Sequence, residues 1–205
     1  DVKAVPMEKE DSLKDNFVIL TTGRMCKEKS QIVLLKAIAK SKYNDKIQLV
    51  IAGHGPLKQK LIRYSKKHLK NQPIMRYFSR EDMLKLLNSA DLYAHPAEVE
   101  LEGIAVLEAV VCGLVPIVSD SSKSATKNFA LGKNNIFIKN NSLDLKDKIE
   151  YWIEHPEEKA KAKEEYIKFG KQFNQDDCMN QMERIFEEVL SKKQTEILDG
   201  NGQRV

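Results

Sequence analysis

Cysteine is scarce in this chain: three in 205 residues, Cys26, Cys112 and Cys178, none of them close in sequence. That spacing excludes a disulfide framework and a cysteine metal site, and it points to a reducing compartment, so the cytoplasm is expected. Long apolar runs are missing too. No segment approaches the ~20 apolar residues of a bilayer-spanning helix, and the charged start DVKAVPMEKE lacks the core of a signal peptide. Any membrane contact is expected to be peripheral, at the inner face. An excess of one charge is absent as well: 34 Lys and Arg stand against 30 Asp and Glu, for a net charge of +4. So even a mixture makes no demand for nucleic acid, and it leaves a phosphate ligand or an anionic membrane surface open. The sequence has no Asp-x-Asp pair, no His/Cys cluster at ligand spacing, no Gly-x-Ser-x-Gly elbow and no internal repeat. Metal-dependent transfer and acyl chemistry therefore lack support, and no metal or cofactor is expected.

What is present is an alternation of apolar β-branched runs with helical patterns. Residues 1–15 read as a polar linker, 16–192 as one domain with C-terminal helices, and 193–205 as a flexible tail. FVILTT (17–22), IQLVIA (47–52), 73–78, ADLYAH (90–95), 115–119 and 135–139 read as strands. Helical spacings lie between them. This predicts an α/β fold: a Rossmann-like parallel sheet of about six strands with helices on both faces and a helical C-terminal extension. In that extension Leu145, Ile149, Trp152 and Ile153 form one apolar stripe. Met179, Met182, Ile185, Phe186 and Val189 form another, and both are expected in the core.

The stretch His95 to Asp120, HPAEVELEGIAVLEAVVCGLVPIVSD, holds the most chemistry. It reads as an acidic loop, a helix starting near Gly103 and stopping at Gly113, and a strand. Because 104–112 is apolar except for Glu108, the helix is expected to be buried all round, with Glu108 as a carboxylate short of polar partners. Glu100 precedes Glu108 by eight positions. Eight residues of helix rise about 12 Å, too far for a glycosidase pair at about 5–9.5 Å. The arrangement suits two tasks along one elongated ligand, with the helix N-terminus between them for phosphates.

Earlier in the chain, the loop GRMCKEKS after the first strand carries Arg24 and Lys29 where open α/β sheets bind ligands. The residues alone admit either a diphosphate site or a solvated basic loop. Gly53-His54-Gly55-Pro56 reads as a tight turn that also allows close backbone approach, with Pro56 at a first helical position. Tyr77-Phe78-Ser79-Arg80 ends a strand, and Ser79 caps the next helix. His95 reads either as a sugar contact or as a satisfied structural residue.

Glu100, Gly103 and Glu108, with Glu108-Ala109 and the following Cys-Gly-x-x-Pro-Ile-Val, resemble the E-x7-E signature of retaining glycosyltransferase family four. The resemblance implies one half of a GT-B fold, the C-terminal donor-binding domain. It implies that Glu108 holds the ribose and Glu100 the donor sugar. Gly103, Ile104 and Ala105 would line the sugar and phosphates through their backbone, and Gly23, Arg24 and Lys29 would meet the diphosphate. Tyr77, Phe78 and Arg80 are the candidates for base contacts, although the family usually has a Gly nearby. Many members also carry an aromatic residue where this chain has Glu102, a departure that bears on sugar preference. Ser124-Ala125-Thr126 with Phe129-Ala130-Leu131 is similar to a subgroup that includes sterol and lipid glucosyltransferases.

The expected activity is retaining transfer of a hexose, glucose from UDP-glucose, to an acceptor hydroxyl of a glycan or lipid. Arg24, Lys29 and Glu100 are the catalytic set, and the chain is expected to be inactive without an N-terminal acceptor domain. Two rivals are weighed. A non-catalytic nucleotide-binding Rossmann module explains the fold but leaves the four charged positions idle. A glycan phosphorylase needs a pyridoxal-phosphate lysine context that the sequence lacks.

Overall fold

A computed structural model describes residues 2–5, 8–9 and 11–199. The expected tail falls partly outside them, as do Pro6 and other positions of the expected linker. The chain divides into two units after Phe169.

The first unit holds six parallel strands: β1 (Phe17–Thr22), β2 (Ile47–Ala52), β3 (Ile74–Arg76), β4 (Leu92–His95), β5 (Pro116–Ser119) and β6 (Ile136–Phe137). Their order is β3-β2-β1-β4-β5-β6. Helices α1 (Gln31–Lys40), α2 (Lys58–His68), α3 (Arg80–Ser89) and α4 (Ile104–Val111) connect the first five strands, and α5 (Ser142–Glu154) and α6 (Pro156–Gly170) follow the last. The order is that of a doubly wound Rossmann sheet. Strands covered on both faces are continuous apolar runs, and Val18 to Leu20 and Leu49 to Ile51 are almost wholly buried. The predicted sheet and helices are therefore those observed. The strand order reverses direction between β1 and β4, which pair over Ile19–Leu92 and Leu20–Tyr93. Loops leaving these two strands diverge, and the crevice between them is where such folds bind ligands.

Several boundaries differ. Pro56 lies in a turn ahead of α2 rather than at its first position. The expected linker is attached to the sheet: Leu13 is buried, Lys9 Nζ stands 2.5 Å from Asp91 Oδ2, and Val5 N donates to Asn88 Oδ1 at 2.7 Å. Helix α4 is not buried all round. Val106, Ala109 and Val110 face the core, but Ile104 is 59% exposed because the first turn stands at the open mouth of the crevice. Ser79 caps α3 as expected, its side chain accepting from Asp82 N at 3.1 Å. In the second unit, α7 (Gln175–Asp199) begins at Asn174, whose Oδ1 accepts from the amides of Asp176 and Asp177. Its stripe of Met179, Met182, Ile185, Phe186 and Val189, expected in a core, is exposed. The only other described helical element in that unit is a 3-10 turn, Lys171–Phe173, too short to form a second layer.

The glycines after β2 have a specific task. Met25 N donates to His54 O at 2.8 Å and Leu57 N to Met25 O at 3.0 Å, so the loop after β1 lies against the loop after β2. A Cβ on Gly55 would stand 2.3 Å from Met25 O and 2.5 Å from Met25 N. The backbone that approaches Gly55 is thus the chain's own loop. Gly55→Ala is expected to lower unfolding free energy by about 1–3 kcal/mol, the usual range for overpacking. Urea denaturation measures it. Gly132→Ala, whose Cβ would meet nothing nearer than Asn135 Oδ1 at 3.4 Å, serves as the control and should change stability by less than about 0.5 kcal/mol.

Candidate active site

Three loops meet above the carboxyl ends of the strands. The β1–α1 loop reaches the β4–α4 loop through Glu28 O, which accepts from Glu98 N at 2.7 Å. The β4–α4 loop is held on its other side by the segment after β5. There Glu100 N donates to Lys123 O at 3.1 Å, Ala125 N to Glu100 O at 2.9 Å, and Ser121 Oγ to Glu98 O at 2.6 Å. Glu100 therefore sits between two braced neighbours rather than on a free loop.

Its carboxylate is the centre of the site. Oε2 forms a salt bridge with Lys29 Nζ and lies 3.1 Å from His95 Nε2. Oε1 takes no hydrogen bond from any described residue and the side chain remains 18% exposed. The His95 hydrogen bond first, and then the Lys29 charge, hold this carboxyl down to about 2 against an ordinary value of 4.5. Lys29 lays its stem over Gly23, which has φ 133° and so needs to be glycine. An ammonium has three donors, so pairing with Glu100 leaves Lys29 able to bridge to an anion. His95 is buried and its ring stacks on Tyr93, with centroids 6.1 Å apart. Tyr93 in turn shares a 2.7 Å hydrogen bond with Thr22 at the end of β1, and burial raises its phenol pKa. So β1 and β4 jointly fix the histidine that fixes Glu100. Arg24, one residue past Gly23, is exposed and forms no salt bridge among the described residues.

Helix α4 starts at Gly103, with φ 75° and no side chain to cap it. A Cβ here would stand 2.8 Å from Thr126 Cγ2 and 3.2 Å from Phe129 Cε2, so the 3-10 segment Ala125–Phe129 closes the space behind the glycine. Gly103 O accepts from Val106 N and Leu107 N. The amides of Ile104 and Ala105, ahead of these, have no intrahelical acceptor.

One turn further along, Glu108 is 35% exposed rather than buried, with Arg80 Nη1 at 3.8 Å from Oε1. The expectation of a carboxylate short of polar partners is corrected: α4 presents it to a cleft of about 310 Å³ lined by Tyr77, Phe78, Arg80, Met83, Leu84 and Leu87. Tyr77 is 71% exposed at the rim, while Phe78 is buried with the Arg76 guanidinium 4.1 Å from its ring centre. The predicted residues thus fall into two groups: Gly23, Lys29 and Glu100 in contact through Lys29, and Tyr77, Phe78, Arg80 and Glu108 around one cleft. Sequence reasoning did not find the bond from His95 to Glu100. A histidine ending a strand five residues before the glutamate was the signal, but only the fold turns the loop back onto it. Nor did it find Thr126 and Phe129 behind Gly103. Among the described residues no group of three or more His, Cys, Asp or Glu is placed to hold a metal ion.

Comparison with known proteins gives a consistent result. The family model described as glycosyl transferases group 1 matches residues 4–170. A GDP-mannose-dependent monoacylated alpha-(1-6)-phosphatidylinositol monomannoside mannosyltransferase of Corynebacterium glutamicum is 32% identical over 116 residues, covering 53% of this chain and 30% of that protein. The chain therefore spans about a third of the length of the curated relatives it matches. Among solved structures, the catalytic domain of cholesterol-alpha-glucosyltransferase from Helicobacter pylori superposes with a TM-score of 0.74 at 38% identity, covering 77% of this chain and 99% of that one. Anabaena HepE in complex with UDP-glucose shares the fold at a TM-score of 0.74 and 19% identity, over 88% of this chain and half of the other. With the family model spanning most of its first unit and the sheet order of a GT-B half, the chain belongs to the glycosyl transferases group 1 family.

Proposed function

We propose that this chain is the donor half of a retaining glycosyltransferase that moves a hexose, glucose from UDP-glucose, onto an acceptor hydroxyl. The observation that carries this reading is the order of groups along the β4–α4 segment: an anchored carboxylate, an uncapped helix N-terminus, then a second carboxylate in a cleft. Sugar hydroxyls, diphosphate, ribose and base occur in that order along a nucleotide sugar. The free Oε1 of Glu100 accepts from sugar hydroxyls while Oε2 keeps the group oriented. Ile104 and Ala105 amides and the Lys29 ammonium meet the diphosphate, joined by the exposed Arg24. Glu108 accepts from the ribose hydroxyls, and the base enters the cleft of Tyr77, Phe78 and Arg80.

In the transfer, the bond between the anomeric carbon and the diphosphate oxygen breaks and a bond to the acceptor oxygen forms. The nucleoside diphosphate leaves with the bonding pair, and its departing oxygen takes up the proton that the acceptor hydroxyl gives up. Fixed cations at Arg24 and Lys29 stabilise the charge that develops on the leaving group, a preorganised electrostatic contribution. The acceptor site belongs to an N-terminal domain of the parent protein, without which the donor half is inactive. Lipid-linked acceptors are favoured by the names of the relatives, which include a phosphatidylinositol mannoside transferase and a cholesterol glucosyltransferase. The sugars in those two names differ, mannose and glucose, so the choice of glucose follows the likeness to the glucosyltransferase domain, which is the more similar in sequence of the two.

Calorimetric titration with UDP, UDP-glucose and GDP-mannose tests the reading. Uridine compounds are expected to bind and GDP-mannose to bind more weakly; a folded chain that binds none of them, also within the full-length parent, would sink the donor assignment. Two substitutions separate the roles. Glu108→Ala should weaken UDP and UDP-glucose alike, by about 1.5–3 kcal/mol for a charge-assisted bond, or roughly ten- to hundredfold. Glu100→Ala should weaken UDP-glucose by a similar factor and UDP by clearly less, since UDP loses only the anchoring of Lys29 and no direct contact. Equal losses for both ligands in Glu100→Ala would contradict the assignment of Glu100 to the sugar.

A further inference from the structure

Positive charge is unevenly placed in this nearly balanced chain. Between Asp45 and Glu81 there are nine Lys or Arg and no Asp or Glu. In the fold this acid-free stretch is β2, α2 and β3, which form one edge of the sheet. Helix α2 concentrates the charge. It seats Leu61 and Ser65 against the core and exposes Lys60, Arg63, Lys66 and Lys67. At about 100° per residue these four side chains fall within an arc of roughly 120° opposite the buried face. None of them makes a salt bridge among the described residues, whereas on α3 and α5 Lys85 pairs with Glu81 and Lys146 with Asp147 and Glu150. Helix α1, which packs beside α2, adds exposed Lys36 and Lys40 and carries no carboxylate of its own.

Clustered like charges on one folded face repel one another, and no carboxylate among the described residues pairs with them, so their free energy falls when an anionic surface approaches. We infer that the outward face of α2, extended by Lys36 and Lys40, is a docking surface for an anionic lipid bilayer. The occupant follows from the chemistry of the face. It is convex, about 16 Å long at 1.5 Å per residue, and mostly lysine, whose compact ammonium suits diffuse phosphate headgroups better than planar bidentate recognition. No exposed large hydrophobic residue lies between Lys58 and Lys70, so there is no anchor for a protein pocket and nothing to insert into acyl chains. Nucleic acid is disfavoured for want of an outward stacking platform: Tyr64, the one aromatic besides His68 on α2, is half-buried with its ring 4.4 Å from that of His68. No described helix is long and apolar enough to cross a membrane, so the contact is a surface one. The donor cleft takes no part in it, and the inference stands or falls independently of the donor assignment.

Co-sedimentation of the 205-residue chain with vesicles tests it. Vesicles of equal parts phosphatidylcholine and phosphatidylglycerol should bind the chain, and pure phosphatidylcholine vesicles should not. Binding should be lost when salt rises from about 0.1 M to 1 M, which shortens the screening length from about 10 Å to 3 Å. The quadruple change Lys60→Gln, Arg63→Gln, Lys66→Gln and Lys67→Gln should weaken vesicle binding more than about tenfold while circular dichroism stays unchanged. A control with the same loss of charge, Lys127→Gln, Lys133→Gln, Lys161→Gln and Lys168→Gln, should retain most of it. Absence of binding to the anionic vesicles, equal loss in the control, or tighter binding to a single-stranded oligonucleotide than to the vesicles would each overturn the inference.

Discussion

The contact between Glu100 Oε2, the Lys29 ammonium and the His95 ring is the constraint on which the crevice depends. Each partner comes from a different place: Lys29 from the loop after β1, His95 from the end of β4, Glu100 from a loop braced by the segment after β5. A partly buried carboxylate without such partners would be costly. With them it is oriented by one oxygen, and the other takes no hydrogen bond from any described residue. The stacked Tyr93 and its bond to Thr22 carry the same constraint down into the sheet, so the two strands at the topological switch set the position of the polar groups above them.

Glycine and charge shape the rest of the domain at two levels. Gly55 lets the loop after β2 support the loop that bears Lys29, and Gly103 lets α4 start against Thr126 and Phe129 without a capping side chain. These are close contacts of backbone that any larger residue would disturb. Charge acts over a longer range. Carboxylates gather on the β4–α4 loop and α4, above the carboxyl ends of the strands, while lysines without a salt bridge among the described residues gather on α2 at the β3 edge. A transferase whose acceptor is lipid-linked would use both, with the crevice holding a water-soluble donor and the basic edge holding the domain near the bilayer.

The sheet was readable because its strands are short apolar runs separated by glycine, proline and helical periodicity; 17–22 and 47–52 are read to the residue. The positions of Glu100, Gly103 and Glu108 along one loop and helix were readable from spacing alone. What spacing does not carry is which groups turn back onto each other. Glu108 looked buried because its helical neighbours are apolar, yet a helix at the rim of a sheet has one open side, and Ile104 and Glu108 occupy it. The same limit applies to α7: its stripe has the period of a core helix, but periodicity does not supply the second layer. Leu13 shows the converse, a single apolar residue in a polar segment that the fold nevertheless buries.

The most direct test is a carboxyl carbon NMR titration of Glu100, assigned by comparison with Glu100→Gln. Because its pKa is lowered, Glu100 contributes stability above the ordinary value of 4.5 and loses that contribution as pH falls toward about 2. The account predicts that the Glu100 signal stays at its ionised position as pH drops through the ordinary value of 4.5, and that Lys29→Met brings its midpoint up toward that value. A Glu100 that titrates near the ordinary value of 4.5 in the unmodified chain would contradict the anchored carboxylate, and with it the organisation of the site.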